Sequence, residues 1–207
     1  MKKQEVANKI YAALSGVLTQ ENFRLKKSEG LLTRPIPGGQ QRIYVSILDY
    51  NPEFIFSLTV AIRLDAVEKL FHLVSGSPPK YQSLSTTTLT QLDYFTSGQY
   101  EEYQVSNDME LRKALDDTVR LVYNQILPFF ARYHNLTAVE AAVNSETSPQ
   151  FDSTQLPAGA LHAVILAHLA QNPAIDQIVS RFETAMKDFP THEKEKLSRL
   201  VEHLNSR

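Results

Sequence analysis

The sequence predicts an α+β protein: an antiparallel meander of four or five strands flanked by helices, followed by a C-terminal helical segment. From Phe54 to Leu64, apolar residues occupy every even position without a break, which is typical of a strand with one face on a core. Near the N-terminus and again after Asn107, apolar residues recur at steps of three and four, which indicates amphipathic helices. The segment from 155 to 207 shows only helical spacing.

The first part of the chain predicts one helix followed by a strand meander. The buried stripe of the helix is Val6, Ile10, Leu14, Val17 and Leu18. The stretch "RPIPGGQQRIYV" at 34–45 resembles a phosphate-binding loop, but Gln40, Gln41 and Arg42 follow the glycines, and then a strand begins. A phosphate loop instead leads into a helix and carries a lysine. We therefore expect a bend between two strands, and "YNPE" is expected to make the next turn.

Further along, "DAVEKLFHLVS" predicts a short helix with a capping box formed by Asp65 and Glu68. From "YQSLSTTTLTQLDYF" to "QYEEYQV", tyrosines, threonines and alternation predict two more strands joined at "TSG". Asn107 is expected to cap the next helix and Pro128 to end it. In "NLTAVEAAVN" a second capping box is predicted, from Thr137 and Glu140.

The domain organisation predicted from these patterns has two parts. Residues 1–145 form the α+β domain, and "NSETSPQFDSTQLP" has the composition of a linker. Residues 155–207 form a helical segment that packs on this domain or makes a small subdomain. Within this segment, "HAVILAHLA" is apolar nearly all round, which predicts a buried helix.

Composition narrows the classes of function. The net charge of −2 gives no general attraction to nucleic acid, and no apolar stretch is long enough to span a membrane. The chain has no cysteine, which excludes disulfides and thiolate chemistry, and no signal peptide is recognised. These features predict a cytoplasmic protein without nucleic-acid or membrane partners, and they leave the oligomeric state open.

Charge is unevenly distributed along the sequence. Residues 1–50 carry more basic than acidic side chains, and residues 93–117 carry more acidic than basic ones. Two interpretations follow: the two regions neutralise each other in the fold, or one of them forms a polar binding surface.

The motifs that carry chemistry predict no catalytic, cofactor-binding or metal site. No two of the six histidines have the four-residue spacing of a helical metal site, so we expect structural or surface roles for them. Glu101 and Glu102 are adjacent in a predicted strand and would point to opposite sides. Nucleophile-elbow and dinucleotide motifs are also absent. The chain is therefore more typical of a protein that is not an enzyme.

One cluster of residues has the composition of a protein interface. Aromatic side chains stand beside carboxylates, a mixture that suits a protein or peptide partner better than nucleic acid. Ordinary sheet packing explains the same residues and is the favoured interpretation. The candidate partner-binding residues are Tyr94, Phe95, Tyr100, Glu101, Glu102 and Tyr103.

The order of elements resembles a bacterial family of unknown function. The residues that carry the resemblance are "TLTQLDYF" in the meander and a helix opened by "VSNDMEL" and closed by "LPFF". The resemblance covers about residues 3–145 and implies a small sheet flanked by helices, with some members encoded near toxin–immunity or phage-defence genes. The family has no assigned active site, so it implies no functional residue.

Together these observations favour an intracellular binding or interaction protein of inhibitory or immunity-like kind. The alternatives are a small-molecule-binding domain and an enzyme whose site is assembled from distant residues. An apolar pocket with a few polar groups would favour a ligand, and an exposed aromatic-rich patch would favour a protein partner.

Overall fold

The computed structural model describes residues 1–99, 102–145 and 156–206. The chain divides into two compact units: unit 1 is Met1–Ala61 with Thr90–Arg132, and unit 2 is Ile62–Leu89 with Tyr133–Arg207. The predicted domain boundary falls at 146–155, outside the described residues, and stays a prediction. The prediction of an α+β fold, with an antiparallel sheet flanked by helices and a helical C-terminal part, is confirmed.

The helices and strands are numbered in chain order. The first half of the chain contains α1 (Lys3–Leu18), β1 (Arg24–Lys26), β2 (Leu31–Ile36), β3 (Gly39–Tyr50), β4 (Glu53–Leu64), α2 (Asp65–Ser75), α3 (Pro79–Gln82), β5 (Thr88–Thr90) and α4 (Leu92–Phe95). The second half contains β6 (Tyr103–Val105), α5 (Asp108–Leu121), α6 (Leu127–Arg132), α7 (Leu136–Val143), α8 (Ala158–Leu169), α9 (Ile175–Ala185) and α10 (Thr191–Asn205).

Within the described ranges the sheet has six strands in the order β1-β2-β3-β4-β5, and β6 also pairs with β4. The pairs β1–β2, β2–β3 and β4–β6 are antiparallel, with Phe54 opposite Val105 and Phe56 opposite Tyr103. The strand that the sequence pattern missed is β1, because three residues are too few to show an alternation.

The burial of one face of β4 confirms the prediction from its alternating pattern. Its even-numbered apolar side chains, from Phe54 to Leu64, are all buried. Each buried side chain of this kind stabilises the fold by roughly 1.5–3 kcal/mol. Burial of this face of β4 is therefore a main contribution to the stability of the core.

The glycine-rich stretch at 34–45 is the predicted bend. The register between β2 and β3 places Ile36 opposite Gly39, so Pro37 and Gly38 form the turn. Gly38 has a φ of +74°, which a residue without a β-carbon adopts without strain. The guanidinium of Arg34 lies 4.8 Å from the ring centre of Phe23. This arginine therefore packs on an aromatic ring of its own unit.

Helices α1 and α5 pack against each other and against the sheet in unit 1. The cap at Asn107 is confirmed, because its side chain accepts hydrogen bonds from the amides of Met109 and Glu110. The prediction that Pro128 ends the helix was wrong. A π-helical segment, Val122–Ile126, follows α5, and α6 continues through Pro128. A wider turn is one way for a helix to accommodate a residue that cannot donate a backbone hydrogen bond.

The predicted strand through "LDYF" is instead the short helix α4. The amide of Thr96 donates to the carbonyl of Leu92, and the amide of Gly98 donates to that of Asp93. Leu92 and Phe95 are both buried, and their three-residue spacing places them on the same side of a helical turn. The first of the two strands predicted to join at "TSG" is therefore limited to β5, and the prediction was wrong for its "LDYF" end.

In unit 2, α8 packs against α2, α7, α9 and α10. Its residues from Gly159 to Ala167 are all buried, which confirms the prediction from "HAVILAHLA". Among the described helices, none combines the length and the apolar character needed to cross a bilayer.

Candidate functional site

A buried polar cluster around Glu68 lies within unit 2. Glu68 in α2 is fully buried, and Thr87, just before β5, donates a hydrogen bond of 2.8 Å from its hydroxyl to Oε1 of Glu68. From α8, Nε2 of His162 lies 3.2 Å from the same oxygen. From α2 itself, Nε2 of His72 lies 3.9 Å from Oε2. A buried carboxylate thus faces two imidazoles and a hydroxyl.

The position of Glu68 follows from how α2 begins. The helix starts directly after β4, and the Leu64 amide donates to the hydroxyl of Thr87 at 2.9 Å. The predicted capping box was wrong: Asp65 instead pairs with Arg63 at 2.8 Å, and Glu68 faces inward. The amphipathic spacing of α2 places position 68 beside the buried residues Val67 and Leu70.

His162 occupies the opposite wall of the cluster. Its ring is stacked on Phe71, with centroids 4.2 Å apart and an interplanar angle of 21°. The sequence interpretation of His162 as structural agrees with this packing, but its pairing with Glu68 was not foreseen. The two residues are far apart in sequence, so no local spacing could have indicated the pair.

The charge state of Glu68 is set by this contact. Burial by itself would raise the pKa of Glu68, but hydrogen bonding and charge attraction from His162, with the hydroxyls of Ser85 and Thr87, lower it to about 2. A buried carboxylate with such a pKa is ionised at neutral pH. The Thr87 hydroxyl donates to Oε1 of this buried charge and the His162 imidazole lies beside the same oxygen, whereas Oε2 has no hydrogen-bond partner among the described residues.

The lowered pKa of Glu68, about 2 instead of 4.5, predicts a particular pH dependence. A carboxyl whose pKa is depressed by folding stabilises the protein above its unfolded pKa and loses that contribution as the pH falls. We expect the difference in unfolding free energy between wild type and Glu68→Gln to shrink as the pH falls from 4.5 towards 2. Urea titrations across this range measure it, and a pH-independent difference would contradict it.

The same part of unit 2 fixes the segment 76–85, which contains the short helix α3 and which we term the anchored loop. Nη1 of Arg63 donates to the carbonyls of Gln82 and Ser85, at 2.8 and 3.0 Å, and to the Ser85 hydroxyl at 2.9 Å. Nε2 of His72 lies 2.9 Å from that hydroxyl, and the amide side chain of Gln82 donates to the Ser77 carbonyl. The loop backbone is thus tied to β4 and α2.

Ser85, His72 and Glu68 resemble the residue types of a catalytic triad, but their geometry differs. In a triad the acid and the serine contact opposite ring nitrogens of the histidine. Here both approach Nε2, and Nδ1 has no hydrogen-bond partner among the described residues. The Ser85 hydroxyl also donates to the Gln82 carbonyl at 2.9 Å. This arrangement favours a positioning role for the three side chains.

A second buried carboxylate in unit 2 was also predicted as a capping residue. Asn135 caps α7 by accepting from the Ala138 amide, so the predicted box of Thr137 and Glu140 was wrong. The buried side chain of Glu140 accepts hydrogen bonds from the side-chain amides of Asn144 and Asn172, at 3.0 and 2.6 Å. It joins α7 to the turn before α9.

In the part of the chain that the structure describes, no group of three or more metal-ligating side chains has the arrangement of a metal site.

The partner-binding residues predicted from the sequence differ in how far their side chains are exposed. Phe95 and Tyr103 are buried, Tyr94 is 45% exposed, and Glu102 is exposed. Tyr100 and Glu101 lie outside the described residues. Binding of a partner by this set stays a prediction, with Tyr94 and Glu102 as its accessible described members.

The uneven charge of the sequence has one clear counterpart in unit 1. Nζ of Lys9 lies 2.8 Å from a carboxylate oxygen of Asp108, so a basic side chain of the N-terminal region neutralises one from the acidic region. Both are exposed at the surface, where such pairs contribute little to stability.

Comparison with protein-family models, with curated proteins and with solved structures gave no match for this chain. The resemblance to a bacterial family stays a prediction.

Proposed function

We propose that this chain is a protein-binding module that engages its partner through the anchored loop. The observation that carries the proposal is an exposed apolar segment on a fixed backbone. Tyr81 is 52% exposed and Leu84 is 47% exposed, while the backbone of the same loop is held by Arg63 and His72.

The loop has the composition of an interface anchor. The Leu84 amide donates to the carbonyl of Tyr81, which forms one tight turn containing both apolar side chains. Pro78 and Pro79 precede them and restrict the backbone further. Tyrosine is enriched at binding hot spots, and a loop that is ordered before binding loses less entropy on association.

The chemistry of the loop also defines its partner. Lys80 is the one charged residue between 76 and 85, and its ammonium lies 4.7 Å from the ring centre of Tyr81. The expected partner is a protein whose surface has an apolar depression for Tyr81 and Leu84, and this depression is bordered by carboxylates. The cytoplasmic location and the inhibitory or immunity-like role favoured by the sequence are kept as parts of this proposal.

Site-specific cross-linking tests the proposal. A photoreactive p-benzoylphenylalanine replaces Ser83, which is exposed on the loop, in cells that naturally express the chain. We expect one protein to be captured. With that protein purified, calorimetric titration should show about 30-fold weaker binding for Tyr81→Ala, as expected for a hot-spot residue.

The matched control places the same cross-linker at Ser198, exposed on α10 of the same unit, and should not capture that protein. Tyr50→Ala serves as the affinity control, because Tyr50 is an exposed tyrosine of unit 1 outside the predicted partner-binding set. Unchanged affinity of Tyr81→Ala would overturn the assignment to the loop, as would equal weakening by Tyr50→Ala. Capture of a second copy of the chain would show that the surface serves self-association.

A further inference from the structure

A pocket of about 170 Å³ lies within unit 2, where α8, α9 and α10 meet. It is separate from the anchored loop, and none of the residues of the Glu68 cluster lines it. The buried side chains of Val164 and Leu204 contribute to its apolar surface, and the half-buried side chain of Val179 contributes from α9. Its apolar part is therefore built from branched aliphatic side chains on three helices.

The polar part of the pocket consists of three exposed side chains: Asp176 and Ser180 from α9, and Asn205 from α10. The lining that the structure describes contains a single ionisable group, the carboxylate of Asp176. Apolar walls with a few polar groups are the usual construction of a small-molecule site.

From these features we propose that the pocket binds a small primary amine with an apolar body. The aliphatic walls accept the body, and the ammonium would lie at the rim, where the Asp176 carboxylate accepts a charge-assisted hydrogen bond. Anionic ligands are disfavoured by the same carboxylate. This site is independent of the proposed protein-binding loop, so either can fail without the other.

The volume limits the size of the ligand. A dry cavity of about 150 Å³ lined by leucine, isoleucine and phenylalanine side chains accommodates benzene, and the pocket here has about 170 Å³. The body is therefore a single aromatic ring or an aliphatic group of similar size. A ligand this small binds with a Kd on the order of 1 mM.

Phenethylamine is a suitable probe, with 2-phenylethanol as its neutral analogue and phenylacetate as its anionic analogue. Amide chemical shifts of the ¹⁵N-labelled chain report on binding. We expect phenethylamine to shift the amides of α8, α9 and α10 at millimolar concentration, 2-phenylethanol to bind about fivefold more weakly, and phenylacetate to cause no saturable shifts.

Two variants test the role of the lining. Asp176→Asn should weaken phenethylamine to the level of 2-phenylethanol and leave the alcohol unchanged, whereas Val179→Phe should fill the pocket and abolish both. Asp188→Asn, which removes an exposed carboxylate that does not line the pocket, is the matched control and should change neither. Thermal melts of each variant establish that it is folded.

Three outcomes would overturn the proposal: no saturable shifts in α8–α10, equal affinity for the amine and the alcohol, or binding that persists in Val179→Phe. The first would mean that the pocket is only a packing defect. The second would show that the Asp176 carboxylate does not contribute to ligand binding, and the third would show that the ligand binds elsewhere on the chain.

Discussion

Replacing His162 with leucine is expected to lower the free energy of unfolding by about 3–5 kcal/mol, because it leaves the buried carboxylate of Glu68 without the imidazole that lies 3.2 Å from its Oε1. Leucine preserves most of the apolar packing on Phe71, so the loss reports mainly on the lost contact with Glu68. Denaturant unfolding followed by circular dichroism measures the effect.

Two further variants separate the contact between Glu68 and His162 from packing. Glu68→Gln combined with His162→Leu should recover much of the lost stability, because the glutamine retains an acceptor for the Thr87 hydroxyl without a buried charge. His168→Leu, a half-buried position on the same helix, is the control and should cost much less. Equal losses at positions 162 and 168, or no recovery in the double variant, would show that the contact with Glu68 is not what stabilises this region.

Tyr103→Ala is expected to cost about 3 kcal/mol or more. The side chain is 8% exposed, and its ring is stacked on that of Phe56 with centroids 4.9 Å apart. Removing a buried aromatic ring forfeits its burial and leaves a cavity in the core. A shift in the urea midpoint with an unchanged slope would report the loss.

Tyr94→Ala provides the comparison, since both tyrosines belong to the partner-binding set predicted from the sequence. Tyr94 is 45% exposed and makes edge contacts with Phe95 and Phe129, so we expect a loss of about 1 kcal/mol or less. If the two variants lost equal stability, Tyr94 would be as much a core residue as Tyr103. It would then not be an accessible contact for a protein partner.

The anchored loop and the Glu68 cluster are joined by the same few side chains. His72 contacts both Glu68 and Ser85, and Thr87 links Glu68 to the end of β4. A change in the cluster is therefore expected to reach the loop. For this reason His162→Leu is not a suitable control in the cross-linking experiment, since it is expected to disturb the anchored loop as well.

The elements that were predictable from the sequence alone are those marked by alternating or continuous apolar residues, by a local turn or by a local helix cap. Alternation in β4, the apolar run of α8, the bend at Pro37 and Gly38 and the cap at Asn107 were all predictable. Each depends on interactions within a few residues, or on one face meeting a core of any composition. For such elements, hydrophobic periodicity and local hydrogen bonding are sufficient.

The roles of the two predicted capping glutamates depend on contacts that form only when distant parts of the chain fold together. The three-residue spacing of a capping box is present at Asp65 and Glu68 and again at Thr137 and Glu140, yet both carboxylates are buried and bonded to other side chains. Their partners, His162 and Asn172, come from distant parts of the chain. A local pattern cannot distinguish a carboxylate that caps its own helix from one that folding surrounds with donors, because both begin with the same spacing.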